Sequence, residues 1–300
     1  MVNACLWLPG EPRRFENVDN WVELLTRLVE QAVATSMESC TVFQQATLQV
    51  SRLLHAARKM SVDSLRIGSE TCVHKTIDPS VLRAFARITS RSGLGLQVVL
   101  PPLAVNDACR IDLTAILEEL PPSCTLVVND LGTLSRLCKS VSNSVIAGRL
   151  LWKQKRAVRF FPDEFELLSQ DELNEWFGFH FPVWLQQFNV RLLEIDMLPP
   201  GVRLGGSQNC SVHVPWALVS YGRICYIGSL GLGPHEKFQV SSPCRRECRS
   251  VQHVLCDESC PTPVLRCGKG VYCLSRPVDY SWLQHKALAS VVVDLRPEPG

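Results

Sequence analysis

The chain has 300 residues, of which 46% are hydrophobic and 20% are charged, and this composition excludes an intrinsically disordered protein. Lys and Arg number 31 against 29 Asp and Glu, so the formal net charge of +2 provides no general attraction to nucleic acid or anionic lipid. No apolar run reaches the roughly 18 residues that a membrane-spanning helix needs, and the sequence predicts no such helix.

Residues 1–62 carry helical periodicity in two stretches, 21–34 and 43–60. We predict a helical N-terminal segment here, with room for one early strand, and the pattern does not fix where it packs. The main domain is predicted over 63–300, and the length is compatible with a single domain overall.

From residue 63 onward, short β-branched runs alternate with segments of helical period. The runs predict strands over 63–68, 96–100, 125–129, 144–150, 157–161, 191–196 and 290–295. Helices are predicted over 79–89, 112–120 and 131–141. Repeated strand–helix–strand units imply right-handed crossovers, so the predicted fold class is α/β with a parallel sheet, either open or closed into a barrel.

Several of these strands finish in polar residues, namely Asn129, Asp130, Arg149, Glu194 and Asp196. In parallel α/β folds the carboxyl ends of the strands form the ligand-binding face, so these five residues are candidates for substrate binding. The alternative is that they are turn residues or helix caps, and Asp130 is well placed to cap a helix that begins at Leu131.

Cysteine is the unusual component of this chain, because eight of its 14 cysteines lie between residues 210 and 273. A disulfide scaffold is one explanation, but disulfide-dense proteins are typically small secreted domains, and this chain is long enough to build a core. Residues 1–14 lack the pattern of a secretory signal peptide. We therefore expect a cytoplasmic, reducing setting, in which clustered cysteines more often bind metal than form disulfides.

The spacing of these cysteines allows more than one chemistry. Cys244 and Cys248 form a pair with a three-residue gap downstream of Cys225, and Cys256 and Cys260 form a second such pair. Four thiolates of this kind could bind a four-iron cluster or a tetrahedral structural zinc ion. Buried but inert cysteines remain the third interpretation.

Familiar catalytic motifs are missing from the sequence. It contains no GxSxG nucleophile elbow, no HExxH zinc helix, no Walker phosphate-binding loop and no EF-hand loop. The catalytic residues are therefore unknown at this level.

Two regions of the chain resemble the collagenase-like peptidase family U-32. The first is the run 214–225, VPWALVSYGRIC, followed by Cys244 and Cys248, and the second is the stretch VNDLG at 128–132 with IAGRLL at 146–151. The resemblance covers roughly residues 63–295 in the family's order, with a longer cysteine segment than is usual there. It implies a (β/α)8 TIM-barrel-like fold, complete or incomplete, that carries a cysteine-rich loop over 210–273.

The resemblance also implies a cofactor, a partner and a reaction. In the family branch that acts in ubiquinone biosynthesis, the matching positions are the ligands of a [4Fe-4S] cluster, which here are Cys72, Cys225, Cys244 and Cys248. Many relatives have a cysteine at the position of Leu218, and this branch takes its fourth ligand from an early strand end, as Cys72 would provide. Cys256 or Cys260 could replace Cys72. The implied activity is oxygen-independent hydroxylation of a small aromatic or prenylated substrate, carried out as a heterodimer with a second family member.

Three other functions stay open. Some relatives hydroxylate RNA bases, and the basic run 153–156 with Arg159 could contact phosphate, although the low net charge argues against nucleic acid. A non-enzymatic partner subunit stabilised by a cluster or by zinc is the second alternative. Peptidase activity is the third, and the absence of a nucleophile or zinc-protease motif disfavours it.

Overall fold

The computed structural model describes fifteen stretches of the chain, and the statements below concern these residues. They are 2–8, 15, 18–27, 41–57, 59–75, 77–103, 113–151, 180–190, 192–197, 209–239, 244–249, 251, 253–257, 260–275 and 280–295.

Twelve strands are described, and they form two sheets. In chain order they are Val2–Trp7 (β1), Met60–Gly68 (β2), Gly95–Leu100 (β3), Thr125–Val128 (β4), Ser144–Ala147 (β5), Leu192–Asp196 (β6), Asn209–Val214 (β7), Trp216–Tyr221 (β8), His253–Asp257 (β9), Cys260–Cys267 (β10), Gly270–Leu274 (β11) and Leu288–Asp294 (β12).

The larger sheet is a closed barrel of eight parallel strands, which confirms the predicted α/β barrel. Its strands β1 to β7 follow one another around the barrel, and β12 closes it between β7 and β1. Because every strand runs in the same direction, all of the carboxyl ends meet at one face of the barrel.

Helices connect the strands, as the alternating pattern predicts. Their bounds are Thr41–Ala56, Pro79–Ser92, Leu113–Glu118, Leu131–Ser140, His180–Gln186 and Tyr226–Ser229, with 3-10 turns at Val73–Lys75, Glu247–Arg249 and Ser281–Gln284. Residues 21–27 are also helical. Asp78 caps Pro79–Ser92 by accepting a hydrogen bond from the backbone N–H of Ser80, which satisfies a donor that the helix cannot pair internally.

The N-terminal segment contains the one early strand for which the sequence left room. Residues 2–7 form the first barrel strand, which pairs with β2 on one side and with β12 on the other. The barrel therefore begins before residue 63, and the segment over 1–62 is not wholly helical. The strand predicted over 157–161 lies outside the described residues.

The cysteine-rich segment also differs from its prediction as a loop. Strands β8, β11, β10 and β9 form a four-stranded antiparallel sheet, inserted in the chain between the barrel strands β7 and β12. Its apolar face packs Trp216, Leu218 and Leu274 together with Ala46 of the helix Thr41–Ala56. The segment is a folded cap whose long connection, between β8 and β9, carries Cys225, Cys244 and Cys248.

The interior of the barrel has two characters. Side chains of Cys5, Trp7, Val99, Val127, Ile146 and Val292 form an apolar cluster, as expected for the filled interior of an eight-stranded barrel. Strands β2, β6 and β7 instead carry buried Arg66, Glu194, Asp196 and His213 at positions that alternate with apolar residues. The charged side chains thus come from strands on both sides of β1 and β12, and once buried they require partners of their own.

Two glycines with positive φ give a test of how tightly the barrel is packed. Gly68, at the end of β2, has φ +106°, and a Cβ there would lie 2.4 Å from the carbonyl oxygen of Val99. Gly93 has φ +65° and no atom within 4 Å of the same position. We expect Gly93→Ala to lower the free energy of unfolding by about 1–2 kcal/mol, through the left-handed backbone alone. Gly68→Ala should lower it by more than about 3 kcal/mol, because strain and a backbone clash add.

Urea unfolding followed by circular dichroism would measure both changes. Equal losses in the two variants would contradict the close approach of β2 and β3.

Candidate functional site

Arg149 is the centre of a buried charge network at the carboxyl face of the barrel. Its guanidinium is fully buried and donates two parallel hydrogen bonds to Glu70, with Nε 2.7 Å and Nη2 2.5 Å from the two carboxylate oxygens. Its Nη1 donates to Asp196 Oδ1 at 2.7 Å, and Asp294 Oδ2 lies 3.7 Å from Nη2. One cation thus joins three carboxylates from three different barrel segments.

The inserted sheet is attached to this same network. Arg149 Nη1 donates to the carbonyl oxygen of Trp216 in β8 at 2.8 Å, and the backbone N–H of Leu218 donates to Asp196 Oδ1 at 3.0 Å. The hydroxyl of Tyr272 in β11 donates to Glu70 Oε1 at 3.2 Å. These charge-assisted bonds fix the sheet over the carboxyl ends of the barrel strands.

A second buried group lies deeper in the barrel, around Arg66. The guanidinium of Arg66 forms an ion pair with Glu194 and donates from Nε to Gln97 Oε1 at 3.0 Å. Glu194 also contacts His213, whose Nε2 lies 3.1 Å from Oε2. Arg66 Nη1 and His213 Nδ1 are buried and have no hydrogen-bond partner among the described residues.

Trp7 lies between the two groups. The Cζ atoms of Arg66 and Arg149 are 5.3 Å and 5.9 Å from the centre of its ring, which places both guanidiniums within range of cation–π attraction. Its indole Nε1 donates to the carbonyl oxygen of Gly68 at 3.2 Å, so the ring is held in place.

The protonation states follow from this arrangement. Burial alone would lower the pKa of Arg149, but Glu70 and Asp196 outweigh it and hold that pKa well above its usual range. Burial, reinforced by Arg149 and Arg66, lowers the pKa of His213 well below its usual range. His213 is therefore neutral near neutral pH, and the two arginines carry the positive charge.

The five polar candidates from the strand ends separate into two sets. Arg149, Glu194 and Asp196 all lie in the buried charged interior: Arg149 bonds to Asp196, which also accepts from the backbone of Leu218, and Glu194 pairs with Arg66 in the second group. Asn129 instead donates from Nδ2 to the carbonyl oxygen of Leu100 at 3.1 Å, and Asp130 caps the helix Leu131–Ser140 by accepting from Thr133 N. Asn129 and Asp130 therefore connect and terminate barrel elements.

Several residues of the network were not singled out from the sequence, namely Trp7, Arg66, Glu70, His213, Tyr272 and Asp294. Asp294 could have been found, because it ends a predicted strand in the same way as Asp196. Arg66 and His213 lie within strands, so only their alternation with buried apolar residues marks them as facing inward. Neither a polar strand end nor an alternating pattern in the sequence marks Glu70 or Tyr272.

The four cysteines that the family resemblance implies lie at the same face of the barrel. Cys72 follows β2 by four residues and is 3% exposed. Cys225 ends the turn after β8, and its sulfur accepts a hydrogen bond from the backbone N–H of Gly228 at 3.3 Å. Cys248 is buried in the turn Glu247–Arg249, next to the turn at Gly268. None of these three cysteines, nor Cys244, is in a disulfide.

Electrostatic coupling connects these thiols. Burial is the main cause that raises the pKa of Cys72, and the neighbouring Cys248 raises it further, while Lys269 and Lys75 act in the opposite direction. Burial also raises the pKa of Cys225, and Cys248 and Cys244 add to the effect. Cys248 is therefore close enough to influence both Cys72 and Cys225.

The thiols are not arranged around a single ion. Among the described residues, no three Cys, His, Asp or Glu side chains are grouped so that they could hold a metal ion. The side chains of Cys256 and Cys260 lie outside the described residues, as do the basic run 153–156 and Arg159. The fourth-ligand alternative and the RNA-contact alternative are therefore untested.

Comparison with known proteins adds no further evidence, because no protein-family model, curated protein or solved structure matches this chain. In the part of the chain that the structure describes, no helix is both long and apolar enough to cross a bilayer. Fold and site together define a parallel α/β barrel capped by an inserted, cysteine-bearing antiparallel sheet.

Removing Arg149 should be severely destabilising. Arg149→Met leaves Glu70, Asp196 and Asp294 buried without their shared cation, and we expect the free energy of unfolding to fall by about 3–5 kcal/mol. Arg149→Lys keeps the charge but not the paired hydrogen bonds and should lose less. The matched control is Arg136→Met on an exposed helix surface, which should change stability by less than about 0.5 kcal/mol. Denaturant unfolding measures all three variants, and similar values for Arg149→Met and Arg136→Met would contradict the central role of Arg149.

The neutral state of His213 predicts a pH dependence of stability. Its pKa is lowered in the folded state, so below the ordinary value near 6.5 the unfolded chain binds a proton that the folded chain does not. This contribution to stability is fully present above about pH 7 and is lost as pH falls, by roughly 1.4 kcal/mol per pH unit below 6.5. Unfolding measured from pH 7.5 to 5.5 should show a slope that His213→Gln reduces by about that amount. An unchanged slope in the variant would mean that His213 is protonated in the folded protein.

Proposed function

We propose that this protein is a [4Fe-4S] protein of the U-32 family, similar to the UbiV proteins, and takes part in oxygen-independent hydroxylation in ubiquinone biosynthesis. A heterodimer with a UbiU-like family member and a cytoplasmic location belong to the same proposal. The observation that carries it is that turns from distant parts of the sequence bring these cysteines near one another. Lys75, three residues after Cys72, lies 3.9 Å from the sulfur of Cys267, and the adjacent Gly268 is next to Cys248. The turn that holds Cys248 also packs against the helix that begins after Cys225.

The donor set has the chemistry that a cluster needs. Each iron of a four-iron cluster takes one protein thiolate, and four cysteines could equally bind a tetrahedral zinc ion. The family resemblance favours the cluster. Cys72, Cys225, Cys244 and Cys248 would hold it.

Two lysines favour the thiolate form that metal binding requires. Lys269 and Lys75 lie close enough to Cys72 to offset part of the rise in its pKa that burial causes. Because thiolates, and not thiols, ligate iron, the two lysines act in the direction that cluster binding needs, although burial still keeps the pKa of Cys72 raised.

The charge network positions the ligand set. Glu70 lies two residues before Cys72 and is held by Arg149 and Tyr272, so the loop after β2 is fixed against β5 and β11. A bound [4Fe-4S] cluster would supply one-electron redox chemistry that side chains lack. Arg149, Glu70 and Tyr272 would keep the Cys72 loop in place against the inserted sheet.

The same network indicates where a substrate binds. Arg149, Asp196 and Asp294 are buried and fill the carboxyl end of the barrel, so a small aromatic or prenylated substrate has to bind above them, near the inserted sheet. Hydroxylation there would oxidise a ring carbon by two electrons, while an oxygen-atom donor other than O2 gives up one oxygen atom and is reduced by two.

The proposal is tested by metal analysis of protein purified without oxygen. We expect about four irons and four sulfides per chain in the wild type, a broad charge-transfer absorption, and no stoichiometric zinc. Cys72→Ala should lose most of the iron. The matched control is Cys124→Ala, which removes a buried cysteine whose pKa burial raises to about 12, and which should keep its iron.

Other results would overturn parts of the proposal separately. Stoichiometric zinc without iron would replace the cluster by a structural zinc site. Iron lost in Cys256→Ala but kept in Cys72→Ala would move the fourth ligand to Cys256. If deletion of the gene left anaerobic ubiquinone production intact, the assigned pathway would be wrong even with the cluster present.

A further inference from the structure

Exposed apolar side chains are concentrated around the cysteine-bearing connection. The described residues include eight large hydrophobic side chains that are exposed, and five of them lie between residues 221 and 251, namely Tyr221, Ile224, Leu230, Phe238 and Val251. Phe238 is 51% exposed and Leu230 is 48% exposed. Large exposed apolar groups in one short segment are typical of an interaction site.

Contacts within the segment bring Leu230, Phe238 and Val251 close together. The Phe238 ring stacks on Tyr226 with centroids 6.2 Å apart, and the Phe238 backbone N–H donates to Ser229 Oγ at 3.3 Å, next to Leu230. Val251 is tied to the turn Glu247–Arg249, which packs against the helix Tyr226–Ser229. We call Leu230, Phe238 and Val251 the apolar patch; Tyr221 and Ile224 precede it in the chain.

Phe238 is held in an unusual backbone conformation. Its φ is +59°, and Arg246 has φ +63°, so two of the three described non-glycine residues with positive φ lie in this segment. Bulky residues rarely adopt this conformation, since it costs free energy. The backbone is therefore strained at two exposed residues of this segment, the aromatic Phe238 and the cationic Arg246.

The charge around the apolar patch is positive. Arg223, Arg245 and Arg246 are exposed beside it, and Lys237 is half-buried. Glu236 and Glu247 are the carboxylates among the described residues of 221–251. The cations form a basic rim, which complements an acidic partner.

The composition of this surface distinguishes between kinds of partner. A second copy of the chain, joined by a two-fold interface, would bring the arginines of one rim against those of the other. Nucleic acid binding relies on many phosphate contacts, whereas three exposed arginines surround a centre that is mostly aliphatic. An apolar centre with aromatic residues and arginine is typical of a protein–protein interface.

We propose that the apolar patch and its basic rim dock a small acidic electron-carrier protein of the plant-type ferredoxin class. This inference rests on the proposed function, because Cys225 and Cys244 lie within the same segment and would place a redox centre directly beneath the partner. Each encounter transfers one electron, so the carrier leaves oxidised by one electron and this protein is reduced by one. No bond forms or breaks.

The test measures binding of a plant-type ferredoxin to the anaerobically purified full chain by calorimetry and stopped-flow kinetics. We expect a roughly micromolar Kd, and an association rate that falls at least about fivefold between low and high salt. The double variant Arg223→Glu, Arg246→Glu should weaken binding by at least about tenfold. Its matched control is Arg87→Glu, Arg136→Glu, which changes the net charge equally on two exposed helix surfaces and should leave Kd within about twofold.

A second variant tests the apolar patch. Phe238→Asn removes the aromatic ring and keeps a residue that tolerates positive φ, so the fold should be preserved. It should raise Kd by about 5- to 30-fold, while the salt dependence of the association rate stays close to that of the wild type.

The outcomes separate this inference from the proposed function, because iron is measured in the same samples. Iron present without ferredoxin binding would overturn the docking site and leave the cluster in place. Ferredoxin binding without iron would support the docking site and overturn the cluster. Equal losses in the rim variant and its control, or tighter binding of a single-stranded RNA 20-mer than of ferredoxin, would also overturn the inference.

Discussion

The pairing of the Arg149 guanidinium with three buried carboxylates is the interaction on which the rest of the site depends. Carboxylates removed from water are stable only when paired and hydrogen-bonded, and here Glu70, Asp196 and Asp294 come from the loop after β2 and the ends of β6 and β12. The barrel is thus held together at its carboxyl face by charge, while apolar packing around Val99 and Val127 fills the interior next to β3 and β4. The inserted sheet attaches to the same ions through Trp216, Leu218 and Tyr272.

This arrangement connects the cysteines to the barrel without direct contact between them. Cys72 is two residues from Glu70, and Tyr272 lies in the sheet that follows the connection bearing Cys225 and Cys248. The geometry of the thiols therefore depends on ion pairs that are themselves buried. Phe238, which stacks on Tyr226, is exposed on the same connection.

The sequence was sufficient for the parallel barrel because β2 to β6 and β12 are runs of apolar or β-branched residues separated by helical period. It was not sufficient for β7, where Ser211 and His213 face the charged interior and make the strand look like a polar segment. β10 was missed because Pro261 and Pro263 argue against a strand; the pairing with β9 shifts its register between Cys260 and Val264, where those prolines fall. The polar ends of predicted strands identified Arg149, Glu194 and Asp196. The residues that pair with them are distant in the sequence, and no local pattern shows which ones they are.

Closure of the barrel by β12 has a consequence for how the protein is made. β7 and β1 leave the ribosome with exposed parallel edges, and both edges stay unpaired until β12, which follows the entire inserted sheet, has been synthesised. Asp294, the last carboxylate of the Arg149 network, arrives with that strand. Until β12 is made, the nascent chain therefore exposes its cysteines and two unpaired strand edges, and its Arg149 network is incomplete. This is the stage at which chaperones or a partner subunit would be most useful in shielding those edges and thiols.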